Sequence, residues 1–166
     1  LRKLIHDKSW IRGIDLDIEE RVTIVDVKML INQLVLDFGE EFIITMAPVS
    51  ATLQNDGSSM AGFSYKDLYL STEGKHIRWF NTQCYYSFSA ETYESIIGNG
   101  YPPEKVVMGM ESGQFSDETF KNALSEVKKI KEKHPTFAGV YDWEYLNAPP
   151  DKNDPSQWAT FMKQNT

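Results

Sequence analysis

Gly13-Ile14-Asp15-Leu16-Asp17-Ile18-Glu19-Glu20 alternates strictly between apolar and acidic side chains. Strand side chains have a period of two, so Ile14, Leu16 and Ile18 fall on one face of an extended chain and Asp15, Asp17 and Glu19 on the other. Next-but-one residues on a strand sit about 7 Å apart, so three like charges converge and at least one should hold its proton above the usual carboxylate range. Such a group can donate a proton near neutral pH. Two blander readings compete. The acids could be the solvated face of an antiparallel strand. They could also be the first three ligands of a calcium loop, but Glu20 then stands where the loop needs Gly, and Asp26 where it needs a bidentate Glu.

The neighbouring stretches decide between these readings. Downstream, Thr23 with Asp26 makes a capping-box-like start, Val27, Leu30, Ile31, Leu34, Val35 and Phe38 repeat at helical spacing, and Gly39 is placed to end the helix. Residues 42–46 form a short apolar run before Pro48, the mark of a strand buried on both faces. Residues 49–74 are irregular, with a short helix expected at 65–70, and loops of that length tend to be functional. An aromatic strand is expected at 77–88, a helix capped by Ser89 and ending at Gly98, and a fourth strand at 105–110. Ser116 caps an amphipathic helix with Phe120, Ala123, Leu124, Val127 and Ile130 inward. A fifth strand at 136–143 and a terminal helix at 157–163 complete the chain, and the start, residues 1–9, looks like the end of a helix.

Strand and helix thus alternate about every 30 residues, the rhythm of βαβ units and a parallel sheet. In such sheets chemistry gathers at the carboxyl ends of the strands. Asp17 and Glu19, Met46, Gln83 and Tyr85, and Trp143 all fall there, which favours a site over a solvated strand.

Composition narrows the partners. The chain has 166 residues, 41% hydrophobic and 25% charged, with a formal charge of -7 and a pI near 5.0. That is the make-up of a soluble globular protein with room for one sizeable core, and it argues against nucleic acid, because Lys and Arg cluster only at residues 128–133, on a solvated helix face. No apolar run is long enough to span a membrane, and the single Cys84 allows no internal disulfide. His6, His76 and His134 are too scattered for a zinc site and read as surface residues. A magnesium- or calcium-dependent enzyme using the same acids remains a rival. The chain opens on Leu1 without a signal-like segment, which says little about compartment.

The segment Arg12-Gly13-Ile14-Asp15-Leu16-Asp17-Ile18-Glu19 resembles the acidic signature Asp-Gly-x-Asp-x-Asp-x-Glu of family 18 glycoside hydrolases, the chitinases and endo-β-N-acetylglucosaminidases, with Arg12 replacing the first acid. Thr45-Met46-Ala47-Pro48 looks like the end of that family's fifth strand, Gln83-Cys84-Tyr85 like its sixth and Gly139 to Trp143 like its eighth. The resemblance implies a parallel (β/α) barrel of TIM type with only strands four to eight present, over residues 1–166. A complete barrel needs about 250 residues, and five strands cannot close. The chain is expected to be either a fragment of a longer protein or a natural half that a second chain completes.

The resemblance also implies roles. Glu19 would be the general acid and then base, while the substrate's own 2-acetamido carbonyl attacks the sugar with retention. Asp17 would orient the acetamido N–H, Asp15 would share a proton with Asp17, and Tyr85 would donate to the acetamido oxygen. Trp143 would be the floor of the sugar site, with Gln83 and Met46 in its wall. Tyr86 would contact the sugar where the family has Asp or Asn. The expected partner is chitin or another N-acetylglucosamine-containing oligosaccharide, with no cofactor or metal, and secretion is expected from where such polymers occur. The rival from another class is a non-catalytic carbohydrate-binding or inhibitor-type protein of the same fold. Such proteins commonly lack the acid, whereas Asp15, Asp17, Glu19 and Tyr85 are all present here.

Overall fold

The computed structural model describes residues 1–56 and 60–165. Five parallel strands lie side by side in chain order: β1 (Gly13–Leu16), β2 (Ile43–Met46), β3 (Ile77–Gln83), β4 (Val106–Glu111) and β5 (Gly139–Trp143). Parallel neighbours need crossovers, and helices α2 (Ile24–Phe38), α5 (Ala90–Gly98) and α6 (Asp117–Lys133) supply three of them. α1 (Arg2–Asp7) precedes the sheet and α7 (Ser156–Asn165) follows it, while α3 (Ser50–Gln54) and α4 (Tyr65–Tyr69) are single turns between β2 and β3. This is the partial barrel that the strand rhythm and the resemblance anticipate.

The caps explain where the helices start. The Thr23 hydroxyl accepts from the Asp26 N–H at 3.1 Å, the Ser89 hydroxyl from the Thr92 N–H at 3.1 Å, and Ser116 and Thr119 cap each other's backbone N–H groups. Gly39 stops α2 at φ +88°, a conformation that disfavours any residue with a Cβ.

Strand alternation sorts the side chains into two layers. Ile44 and Met46 of β2, Phe80 and Thr82 of β3 and Val106, Met108 and Met110 of β4 are fully buried, the apolar ones forming one core with Val27, Ile31 and Leu34 of α2 and Phe120, Val127 and Ile130 of α6. The intervening residues Asp15, Thr45, Asn81, Gln83, Gly109 and Tyr141 share the opposite face, so the sheet has an apolar side under the helices and a polar side that carries the site.

Several elements differ from their sequence reading. β1 covers only Gly13–Leu16, so the alternation at residues 14–19 runs past the strand and carries Asp17 and Glu19 beyond its end. The aromatic stretch expected as strand to residue 88 stops at Gln83, since Cys84 to Ser87 form a tight turn closed by Ser87 N–H to Cys84 C=O at 2.9 Å. α3 was not foreseen, and residues 57–59 of the irregular stretch lie outside the described residues. Leu30 of α2, expected inward, is 39% exposed. His76 and His134 are not free surface residues, for each ring is largely covered and pairs with a glutamate, Glu40 at 3.0 Å and Glu94 at 2.8 Å. No described helix is long and apolar enough to cross a membrane.

Candidate active site

The site is built at the carboxyl ends of the strands, from the polar layer upward. Asp15 lies in β1 opposite Thr45 of β2, whose hydroxyl donates to the Asp15 carboxylate at 2.6 Å. Asp17 stands just past the strand end, where the Gln83 amide reaches it at 3.1 Å while also donating to the Ala47 carbonyl at 2.7 Å. Gln83 therefore ties the end of β3 to β2 and to the acid.

The Asp17 carboxyl holds its proton above the usual range. Burial is the main cause, the charges of Glu19 and Asp15 add to it, and the Gln83 hydrogen bond opposes it. This fits the convergence of like charges expected from the alternation, with both neighbours acting on the middle acid.

Two hollows meet at Asp17, Ala47 and Gln83. One, of 260 Å³, is bounded by Asp15, Asn81, Tyr85, Tyr141 and Trp143. The other, much smaller, opens on Glu19 and Tyr65 and is roofed by Pro48, Val49 and Thr52. Glu19 thus borders the site across Asp17, on the other side of that shared wall from Tyr85 and Trp143. Its carboxyl is exposed, and so is the Trp143 ring, 62% of which faces out.

Tyr85 is half-buried and hydrogen-bonds Tyr141, and burial raises the phenol of both. Both phenols stay protonated at any working pH and can act as donors. Tyr65, fully buried below the smaller hollow, has its phenol raised mainly by burial and then by the charges of Asp17 and Asp15.

Met46 and Tyr86 stand apart from this constellation. Met46 is fully buried in the apolar core rather than in the wall of the site, because the strand period that turns Thr45 toward Asp15 turns its neighbour to the helices. Ala47 occupies the wall instead. Tyr86 lies outside both hollows, 87% exposed, on a separate groove with Phe88, Gln114 and Phe115. Its backbone sits at φ +58°, a left-handed conformation that Asn and Asp tolerate better than Tyr.

Thr45, Asn81, Tyr65 and Tyr141 were missed by reasoning from sequence. A signal existed for two of them: Asn81 is two residues before Gln83 and Tyr141 two before Trp143, so strand period places each on the face of the residue already singled out. Tyr65 carries no such signal, since a long irregular segment delivers it.

Gly109 makes the Tyr85–Tyr141 contact possible. It lies opposite both Gln83 and Tyr141 in the ladder, and a Cβ there would come within 2.2 Å of the Tyr141 ring. Gly109→Ala should push Tyr141 off Tyr85 and destabilise the fold by about 1–3 kcal/mol, the usual range for overpacking. Thermal unfolding checks the stability, and the Tyr85 phenol resonance checks the contact. An unchanged melting temperature would contradict the close approach.

In sequence and fold the chain resembles glycoside hydrolase family 18, over a partial (β/α) barrel of TIM type. It is similar to a fungal endo-β-N-acetylglucosaminidase from glycosyl hydrolase family 18, with 32% identity and a TM-score of 0.86 over 97% of this chain and 58% of that one. It is also similar to the chitinase ChiC from Aspergillus fumigatus, with 33% identity and a TM-score of 0.78 over 98% of this chain and 60% of that one. A chitinase from Rhizomucor miehei shares the fold alone, at 11% identity and a TM-score of 0.67 over 99% of this chain and 72% of that one. The chain spans about three fifths of the length of the first two. No family model matches the sequence, and no curated protein does.

Proposed function

We propose that this chain is the part of a family 18 catalytic barrel that carries the reaction chemistry, and that it hydrolyses β-1,4 bonds of N-acetylglucosamine-containing oligosaccharides with retention and without a carboxylate nucleophile. The observation that carries the reading is the junction of the two hollows at Asp17: an exposed acid, Glu19, on one side, and on the other a cavity with a phenol donor, Tyr85, and an exposed indole, Trp143.

Each group has a task there. Glu19 protonates the leaving glycosidic oxygen and then takes a proton from water. Asp17 receives the acetamido N–H, so the acetamido oxygen is aimed at the anomeric carbon and positive charge on the oxazolinium ring is compensated. Tyr85 donates to the acetamido oxygen, and Trp143 supplies a flat apolar surface for the sugar ring. Asp15, braced by Thr45, supplies the neighbouring charge that helps Asp17 keep its proton before substrate arrives.

A thiazoline analogue of N-acetylglucosamine mimics the oxazolinium ring and tests the substrate-assisted scheme. It should bind this chain at least about a hundredfold more tightly than free N-acetylglucosamine, as transition-state mimics do, and calorimetry measures the ratio. Equal affinities would remove the acetamido group from the mechanism. Proton NMR of fresh digestion products should show the β-anomer first, and an initial α-anomer would overturn retention.

A further inference from the structure

Behind the sugar face, the last turn of β4 and the end of β5 are joined through one buried hydroxyl. Ser112, which is 3% exposed, places its Oγ 2.6 Å from Asp142 Oδ2 and 2.8 Å from the backbone carbonyl oxygen of Glu144, the residue after Trp143. Three oxygens in a row at these separations are best served by two protons, because a single hydroxyl hydrogen shared between both acceptors leaves each bond weak and bent. Ser112 has one proton to give, and a backbone carbonyl has none. The second has to come from Asp142.

We infer that Asp142 is a permanently neutral carboxylic acid, donating to Ser112, which donates to the Glu144 carbonyl, and that this relay is a positioning device for the Trp143 face of the site.

The surroundings agree. Asp142 Oδ1 is buried without a hydrogen-bond partner, which a neutral carbonyl oxygen tolerates far better than half of a charged carboxylate. Burial raises its proton affinity. Glu111 and Glu144, on either side of the relay, are acids, turned toward Gln114 and Asn147. Asp142 lies between Tyr141 and Trp143, both of which line the cavity, so whatever fixes its carboxyl fixes the strand end that presents them.

The test needs no sugar, so it stands or falls separately from the glycosidase reading, on which only the relay's consequence for sugar binding rests. Carbon-detected NMR of the whole chain should find the Asp142 carboxyl still protonated at about pH 6, where an ordinary aspartate has released its proton. Asp142→Asn keeps a donor toward Ser112 and should leave the Trp143 indole resonance in place, identified by its loss in Trp143→Phe. Asp142→Ala and Ser112→Ala should both shift it. If Asp142→Ala does not fold, Ser112→Ala carries that arm. A carboxyl that titrates near its ordinary value of about 4, or an indole resonance indifferent to Ser112→Ala, overturns the inference.

Discussion

Glu19→Gln should bind a chitooligosaccharide as tightly as the parent chain and hydrolyse it about a thousandfold more slowly. The reasoning starts from what the substitution preserves. Glutamine has the size and hydrogen-bonding reach of glutamic acid but cannot release a proton to the leaving oxygen, and proton transfer by a placed side chain is worth roughly 10²–10⁴ in rate. Glu19 sits at the mouth of the smaller hollow rather than in the larger cavity, so its loss should leave the contacts of Trp143, Gln83 and Tyr85 alone. Calorimetry measures the first half of the expectation and reducing-end release the second. A leaving group that needs no protonation, such as a 2,4-dinitrophenol, should recover much of the lost rate. Unchanged turnover of the natural bond would remove Glu19 from the mechanism.

Asp17→Asn should slow substrates bearing a 2-acetamido group about a hundredfold or more, the scale found when a placed partner to developing charge is removed, and spare glucosides without it. Its effect on stability is of opposite sign. The folded chain holds the Asp17 proton above the ordinary aspartate value, so the stability this group contributes is fully present below that ordinary value and is lost as pH rises through the raised one. Asparagine mimics the protonated form at every pH. Asp17→Asn should therefore melt at a higher temperature than the parent at neutral pH, and the two should converge below about pH 4. Gln83→Leu removes the one hydrogen bond that lowers the Asp17 value and should move the acidic limb of kcat/KM to higher pH. A variant that loses activity and stability together at pH 7 would show that Asp17 is a structural acid.

Both predictions describe a site that trades stability for chemistry. Three acids crowd one strand end, and the middle one, Asp17, holds its proton above the usual range against an amide partner, Gln83, from two strands away. The close approach of Tyr141 to Gly109 and the Ser112 hydrogen bonds beside Trp143 lie on the opposite rim.

Much of this was legible from residue order. Alternation at residues 14–19 put Asp15 and Asp17 on one face, the caps at Thr23, Ser89 and Ser116 started three helices, and the 30-residue rhythm gave parallel strands in chain order. These features depend on neighbours a few positions apart, where backbone period and local hydrogen bonding decide the outcome. Met46 was misread although the same period applies to it, because a strand's two faces look alike until one is known to carry helices. That burial raises the Asp17 carboxyl, which hollow each acid opens on, and that Gly109 yields its space to Tyr141 were settled only by tertiary structure. Burial and cross-strand packing act between residues far apart in the chain, as Asp17 with Gln83 and Gly109 with Tyr141. No window on the sequence contains both partners, and the sheet brings them within reach.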